Sequence, residues 1–266
     1  MKLRNNQILL KERVIFINGL RTNYKIAGSG PAILILHGWN GSSDSWSKVS
    51  EMLAENGFKV ICPDFPGFGK SKTPFQPWCV DDFVKWFYEL RNSLKLENFF
   101  LLAHSFGGRV AIKFAIKYPE KVKSLILCAS AGIKPKPELK TRIIFWLAKI
   151  GNAIFTPKPL ARFKDGTQNL FYLFLRHKDY VKADGTMKET MKNVIQEDVL
   201  PLLSQIQTKT LIIWGDRDKL VPVKYGHIFK ENIPNSKLEI LPKIGHSPNL
   251  EAPEKLAQII LNFLKA

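Results

Sequence analysis

Three residues far apart in this chain have side chains suited to nucleophilic catalysis. Ser105 stands in Ala103-His104-Ser105-Phe106-Gly107-Gly108, a carboxylate is offered by Gly215-Asp216-Arg217-Asp218, and His246 lies in Ile244-Gly245-His246-Ser247. A serine hydroxyl is a weak nucleophile at neutral pH, so it needs a base within hydrogen-bond reach and an acid group to orient that base. The chain order serine, aspartate, histidine is the one expected when a serine corner is built on an α/β sheet. Asp216 and Asp218 compete for the acid role. Among five histidines, His37 and His104 flank the site in sequence and suit backbone bonding or packing, while His177 lies in the stretch between Ile133 and Ile206 and His227 in a predicted helix, and both suit the surface. The negative charge that develops on a substrate oxygen also needs donors. The backbone N–H of Phe106, at the start of a helix, is one candidate, and that of Trp39, after His37-Gly38, is the second.

The surrounding sequence has to hold these residues. Asn98 to Ala103 reads as a buried strand, Ser105 marks a corner, and Val110 to Ile116 is helical, so the serine sits at a sharp strand-to-helix bend. The small residues at Ala103, Gly107 and Gly108 allow strand and helix to approach closely. The pattern G-x-S-x-G is met except at Ala103. Upstream, Val14 to Gly19 and Thr22 to Gly28 predict a hairpin, Ala32 to Leu36 a strand buried on both faces, Ser42 to Asn56 a helix stopped by Gly57, Phe58 to Cys62 a strand and Asp81 to Leu94 a helix. Val122 to Cys128 is a further strand. The alternation halts between about Ile133 and Ile206, where only helical stretches are evident. It resumes with a strand at Thr210 to Trp214, a helix at Val223 to Glu231, a strand at Lys237 to Leu241 and a closing helix at Pro253 to Leu264. This order predicts an α/β fold with a mostly parallel eight-stranded sheet, formed by residues 1–132 and 207–266, and an inserted helical segment at 133–206.

The chain has 266 residues, a formal net charge of +17, 45% hydrophobic residues and 24% charged residues. The hydrophobic and charged fractions are ordinary for a globular protein and argue against a disordered chain, while a charge of +17 is not ordinary and predicts attraction to acidic surfaces, anionic lipids or anionic substrates. The basic side chains are scattered through every segment, which argues for a solvated basic exterior and against a nucleic-acid-binding tail. Cys62, Cys79 and Cys128 form neither a metal motif nor a disulfide framework, and no metal or cofactor is expected. Charges at Lys11, Glu12 and Arg13 interrupt any signal-peptide core, and no apolar stretch is long enough to span a membrane, so the expected location is cytoplasmic and membrane association is not expected.

His37-Gly38-Trp39, Asp64-Phe65-Pro66-Gly67-Phe68-Gly69-Lys70-Ser71, His104-Ser105-Phe106-Gly107-Gly108, Gly215 to Pro222 and Gly245-His246 together resemble the α/β-hydrolase superfamily, over nearly the whole chain outside the insertion. The resemblance implies a Ser105-His246-Asp218 triad, an oxyanion hole at Trp39 and Phe106, a purely structural Asp64 loop and a cap made from the insertion. Haloalkane dehalogenases and epoxide hydrolases carry aspartate where this chain has Ser105. Hydrolases of meta-ring-fission products carry Asn before the serine and Trp after the histidine, where this chain has His104 and Ser247. The expected reaction is therefore hydrolysis of a small carboxylic ester through an acyl-enzyme, with carbon–carbon hydrolysis or a slow-turnover ligand receptor on the same fold as alternatives. The expected partner is a small molecule with an apolar acyl or aromatic part, with Phe145, Trp146, Phe171 and Phe174 as pocket residues and basic cap side chains available to an anionic group.

Overall fold

The computed structural model describes residues 9–134 and 185–265. Among them eight strands form one sheet: β1 (Lys11–Ile17), β2 (Leu20–Ala27), β3 (Ala32–Leu36), β4 (Lys59–Pro63), β5 (Phe99–His104), β6 (Val122–Cys128), β7 (Thr210–Gly215) and β8 (Ser236–Leu241). Their spatial order is β1-β2-β4-β3-β5-β6-β7-β8. The hairpin of β1 and β2 is antiparallel and β2 meets β4 antiparallel, while every later pairing is parallel.

The apolar runs of the parallel strands are continuous because both faces of the sheet are covered. Alternate side chains of one strand point to opposite faces. Leu34, Leu36, Leu101, Leu125 and Leu127 join a core shared with Phe83 and Phe87 of α2 (Val80–Ser93) and Phe114 of α3 (Phe106–Lys117). Ile33, Ile35, Leu102 and Ile126 join a second core shared with Leu53 of α1 (Ser47–Glu55) and with Leu256 and Ile260 of the closing helix Pro253–Lys265. The first turn of the helix expected from Ser42 is instead a 3-10 turn at Ser43–Trp46, capped by Ser42, with the Ser43 amide bound to Asp64.

The interval between β6 and β7 contains, among the described residues, no strand; it contains α4 (Gly185–Ile195) and a 3-10 segment, Leu200–Gln205. Phe145, Trp146, Phe171 and Phe174 lie outside the described residues, as does His177. The remaining helices are α5 (Lys224–Asn232), the short α6 (Pro248–Glu251) and α7, the closing helix. No helix among the described residues is long and apolar enough to cross a membrane.

One feature of this topology positions the site. The chain passes from β3 to β4 on one side and then returns to place β5 on the other side of β3. The loops leaving the carboxyl ends of β3 and β5 therefore diverge, which opens a crevice where open α/β sheets bind ligands. Trp39 is in the first of those loops and Ser105 begins the second.

The loop after β4 is tied to this frame by a buried carboxylate. Asp64 accepts hydrogen bonds from the Ser43 amide (2.6 Å), the Lys70 amide (2.9 Å) and Asn23 Nδ2 (3.0 Å). Replacing Asp64 with alanine strands two backbone donors, and we expect a loss of about 3 kcal/mol, read as a lower urea midpoint with an unchanged slope.

Candidate active site

Ser105 is placed by backbone strain and close packing. It stands between β5 and α3 at φ 50° and ψ −114°, a left-handed conformation that a residue with a Cβ rarely adopts. Three backbone hydrogen bonds hold it there. Its amide donates to the Cys128 carbonyl (3.1 Å), and its own carbonyl accepts from the amides of Gly108 and Ala131, each at 3.0 Å. Helix α3 can approach only because residue 107 is glycine, since a Cβ there would lie 2.5 Å from the Leu36 carbonyl oxygen and 2.8 Å from that of His37.

His246 arrives from the loop after β8 and is gripped on several sides. Glu251 accepts from the amides of Gly245 (2.7 Å) and Ser247 (3.1 Å), so both neighbours of the histidine are fixed by one carboxylate. His104 Nε2 lies 2.8 Å from the His246 carbonyl oxygen and donates to it. Gly215 lets the end of β7 pass against the Ile244 and Gly245 carbonyls, which leave no room for a Cβ.

The loop after β7 brings one of its two aspartates to His246. Asp218 is buried, and its Oδ1 accepts from the amides of Leu220 (2.9 Å) and Val221 (2.8 Å). Its Oδ2 remains for His246 Nδ1 at 2.8 Å. Asp216 is exposed and binds the Lys243 amide at 2.7 Å, which ties this loop to the one carrying His246. With Nδ1–H donating to Asp218, His246 presents an unprotonated Nε2, and this nitrogen lies 3.1 Å from Ser105 Oγ. A proton can thus pass from the hydroxyl to an imidazole whose positive charge a buried carboxylate would balance.

Ser105 and His246 open on a cavity of about 410 Å³. Trp39 and Phe106 form part of its wall, their rings 5.3 Å apart and nearly perpendicular. Among the described residues neither backbone amide has a hydrogen-bond partner, as expected for the first residue of α3. Met191, Val194 and Ile195 of α4 close another side, with Leu220 and Leu250 at exposed positions.

The sequence model of the α/β hydrolase fold family matches residues 31–154 and 156–253. The chain belongs to this family. This α/β hydrolase is 26% identical over 286 residues to a 2-hydroxy-6-oxononadienedioate/2-hydroxy-6-oxononatrienedioate hydrolase of Comamonas testosteroni, covering 93% of this chain and 92% of the relative. It is 28% identical over 261 residues to a monoacylglycerol lipase of Homo sapiens, covering 89% and 76%. Among solved structures it is similar to a membrane phospholipase A described as a bacterial virulence factor, with TM-score 0.74 and 25% identity, covering 96% of this chain and 86% of that one.

The two histidines that flank the site in sequence, His37 and His104, bind backbone, as their places in the sequence imply. His37 is fully buried and donates from Nδ1 to the Gly38 carbonyl (2.7 Å) while its Nε2 accepts from the Phe65 amide (2.9 Å). Burial holds its pKa down, so it is a neutral bracket between two loops. His227 is exposed on α5. The residues that sequence reasoning passed over are Glu251, which fixes the His246 loop, and Arg109, which enters the cavity wall. The only sequence signal for Glu251 is an acid five residues after His246, and Arg109 gives none beyond its place one turn after Ser105.

Two measurements test this arrangement. Ser105→Gly removes the Cβ from a positive-φ site, and we expect a gain of about 1 kcal/mol in stability, seen as a higher Tm. Burial, and then the nearby His246, push His104 from 6.5 down to about 4. Between those two values the unfolded chain binds a proton that the folded chain refuses, so stability is full above about pH 6.5 and falls as pH drops toward 4, by about 3 kcal/mol in all. His104→Gln should flatten that part of the urea-unfolding profile relative to wild type; an unchanged slope rejects the assignment.

Proposed function

We propose that this α/β hydrolase cleaves a small carboxylic ester through an acyl-enzyme on Ser105. The observation that carries the reading is the continuous hydrogen-bond chain from Ser105 Oγ through His246 to the buried Asp218 at the edge of a cavity. Ser105 attacks the ester carbonyl as His246 Nε2 takes its proton. The carbonyl oxygen becomes negative and is received by the Trp39 and Phe106 amides. His246 then gives the proton to the leaving alkoxide, and water, activated by the same nitrogen, releases the acid. Asp218 stays ionised and balances the imidazolium. The lipases among the similar proteins support an ester substrate, and the apolar α4 wall suits an apolar acyl part.

A second reading, carbon–carbon hydrolysis, is favoured by the dienedioate hydrolase among the relatives. Against it stand His104 and Ser247. The position before the serine is filled by a histidine committed to the His246 carbonyl, and the amide of the residue after the base is committed to Glu251.

A chain-length panel of nitrophenyl esters, run beside a ring-fission dienoate that bleaches on cleavage, separates the two readings. The ester reading expects turnover of short nitrophenyl esters and none of the dienoate. Ser105→Ala should lower kcat/KM by more than about a thousandfold. Turnover by the variant equal to wild type rejects Ser105 as the nucleophile, and bleaching of the dienoate with idle esters reverses the choice of substrate.

A further inference from the structure

We propose that Arg109 is a specificity-determining residue that receives an anionic oxygen group, a carboxylate or a phosphate, carried by the ester substrate. This rests on the reading of Ser105 given above. Arg109 follows Ser105 by four residues, one turn along α3, and long helical side chains lean back toward the helix amino terminus. It is 8% exposed and forms part of the wall of the cavity that holds Ser105.

The partners of this guanidinium do not use up its donors. It carries five N–H groups. One of them, on Nη1, donates to the main-chain oxygen of Glu197 at 2.6 Å. The two acids nearest in charge are occupied with other groups. The Glu197 carboxylate is ion-paired with Lys113 at 2.5 Å, and Lys113 also holds Asp81 at 2.7 Å. Asp198 Oδ1 accepts from the amides of Leu200 (3.1 Å) and Lys134 (3.3 Å). Neither carboxylate lies within ion-pair distance of Arg109. Burial lowers its pKa only to about 10, so it is charged at neutral pH.

A cation in this setting is expensive to bury unless something pairs with it. Among the described residues the cavity lining holds no carboxylate: Met191, Val194 and Ile195 are apolar, and Asn40, Ser45, Ser247 and Asn249 are polar but neutral, so none supplies the opposite charge. An anionic group on the ester would supply the missing charge, and the planar fork of the guanidinium suits a carboxylate or phosphate in two-point contact. The ester bond would then lie at Ser105, its charged end held one helical turn away.

Three esters test the inference: 4-nitrophenyl butyrate, which is neutral, mono(4-nitrophenyl) glutarate, with a carboxylate on the acyl side, and 2-(butyryloxy)ethyl phosphate, with a phosphate on the alcohol side. We expect wild type to favour one of the charged esters over the neutral one by about tenfold or more in kcat/KM, through KM. Which one it favours identifies the anion. Arg109→Gln should abolish the preference and Arg109→Lys retain part of it. Equal use of all three esters by wild type overturns the inference, as does a variant that slows all three alike, the mark of an arginine that only holds Glu197. Binding is read separately from turnover by the Tm shift that glutarate or inorganic phosphate produces in wild type and in the Ser105→Ala chain. A shift that Arg109→Lys reduces supports the site even where no ester is turned over. Absence of any shift overturns it, while activity on the neutral ester that disappears in Ser105→Ala leaves the reading of the nucleophile standing.

Discussion

The structure depends on one strained turn. Ser105 is held in a left-handed conformation that costs on the order of 1–3 kcal/mol, and the surrounding contacts have to exceed that cost. They do so with hydrogen bonds from three directions and with a helix that lies directly against the end of β3. The strain aims the hydroxyl away from the backbone and frees the Phe106 amide at the helix start. A relaxed turn would point the side chain elsewhere, so the same geometry that weakens the fold locally creates the site.

The partners of Ser105 are fixed by a different device. His246 and Asp218 sit on loops, and loops alone are poor platforms for groups that must meet within hydrogen-bond distance. Each loop is therefore stitched by backbone amides to a carboxylate. Asp218 takes the amides of its own loop, Asp216 takes the amide of Lys243, and Glu251 takes the amides on both sides of His246. Asp64 does the same for the loop after β4. Neutral His37 and His104 add brackets between loops, and burial keeps them uncharged, which prevents them from repelling a protonated His246.

The strands and helices were legible in the sequence because the physics that forms them is local. The continuous apolar runs of β3 and β5 and the periodic pattern of α2 and α7 place those four elements within one residue, whereas the first strand begins three residues before the expected Val14. The serine corner was legible for the same reason, since strand, small residues and helix adjoin one another. At Ser42 the local signal was incomplete. A cap and an apolar pattern indicate a helix, but the amide of Ser43 binds a carboxylate twenty-one residues away and the first turn tightens.

The sequence by itself determined the alternating fold, the position of the serine and the loops that could supply its base and acid. Only the tertiary structure decided which atoms meet. Asp216 and Asp218 are two residues apart, and the difference between them is that the loop wraps its amides around one and turns the other toward Lys243. The grip of His104 on the His246 carbonyl spans 142 residues of chain, and the approach of Arg109 to Glu197 spans 88. Such contacts depend on where an open sheet and its packed helices bring distant loops. No local pattern encodes that, because the energy that sets it is shared across the whole core.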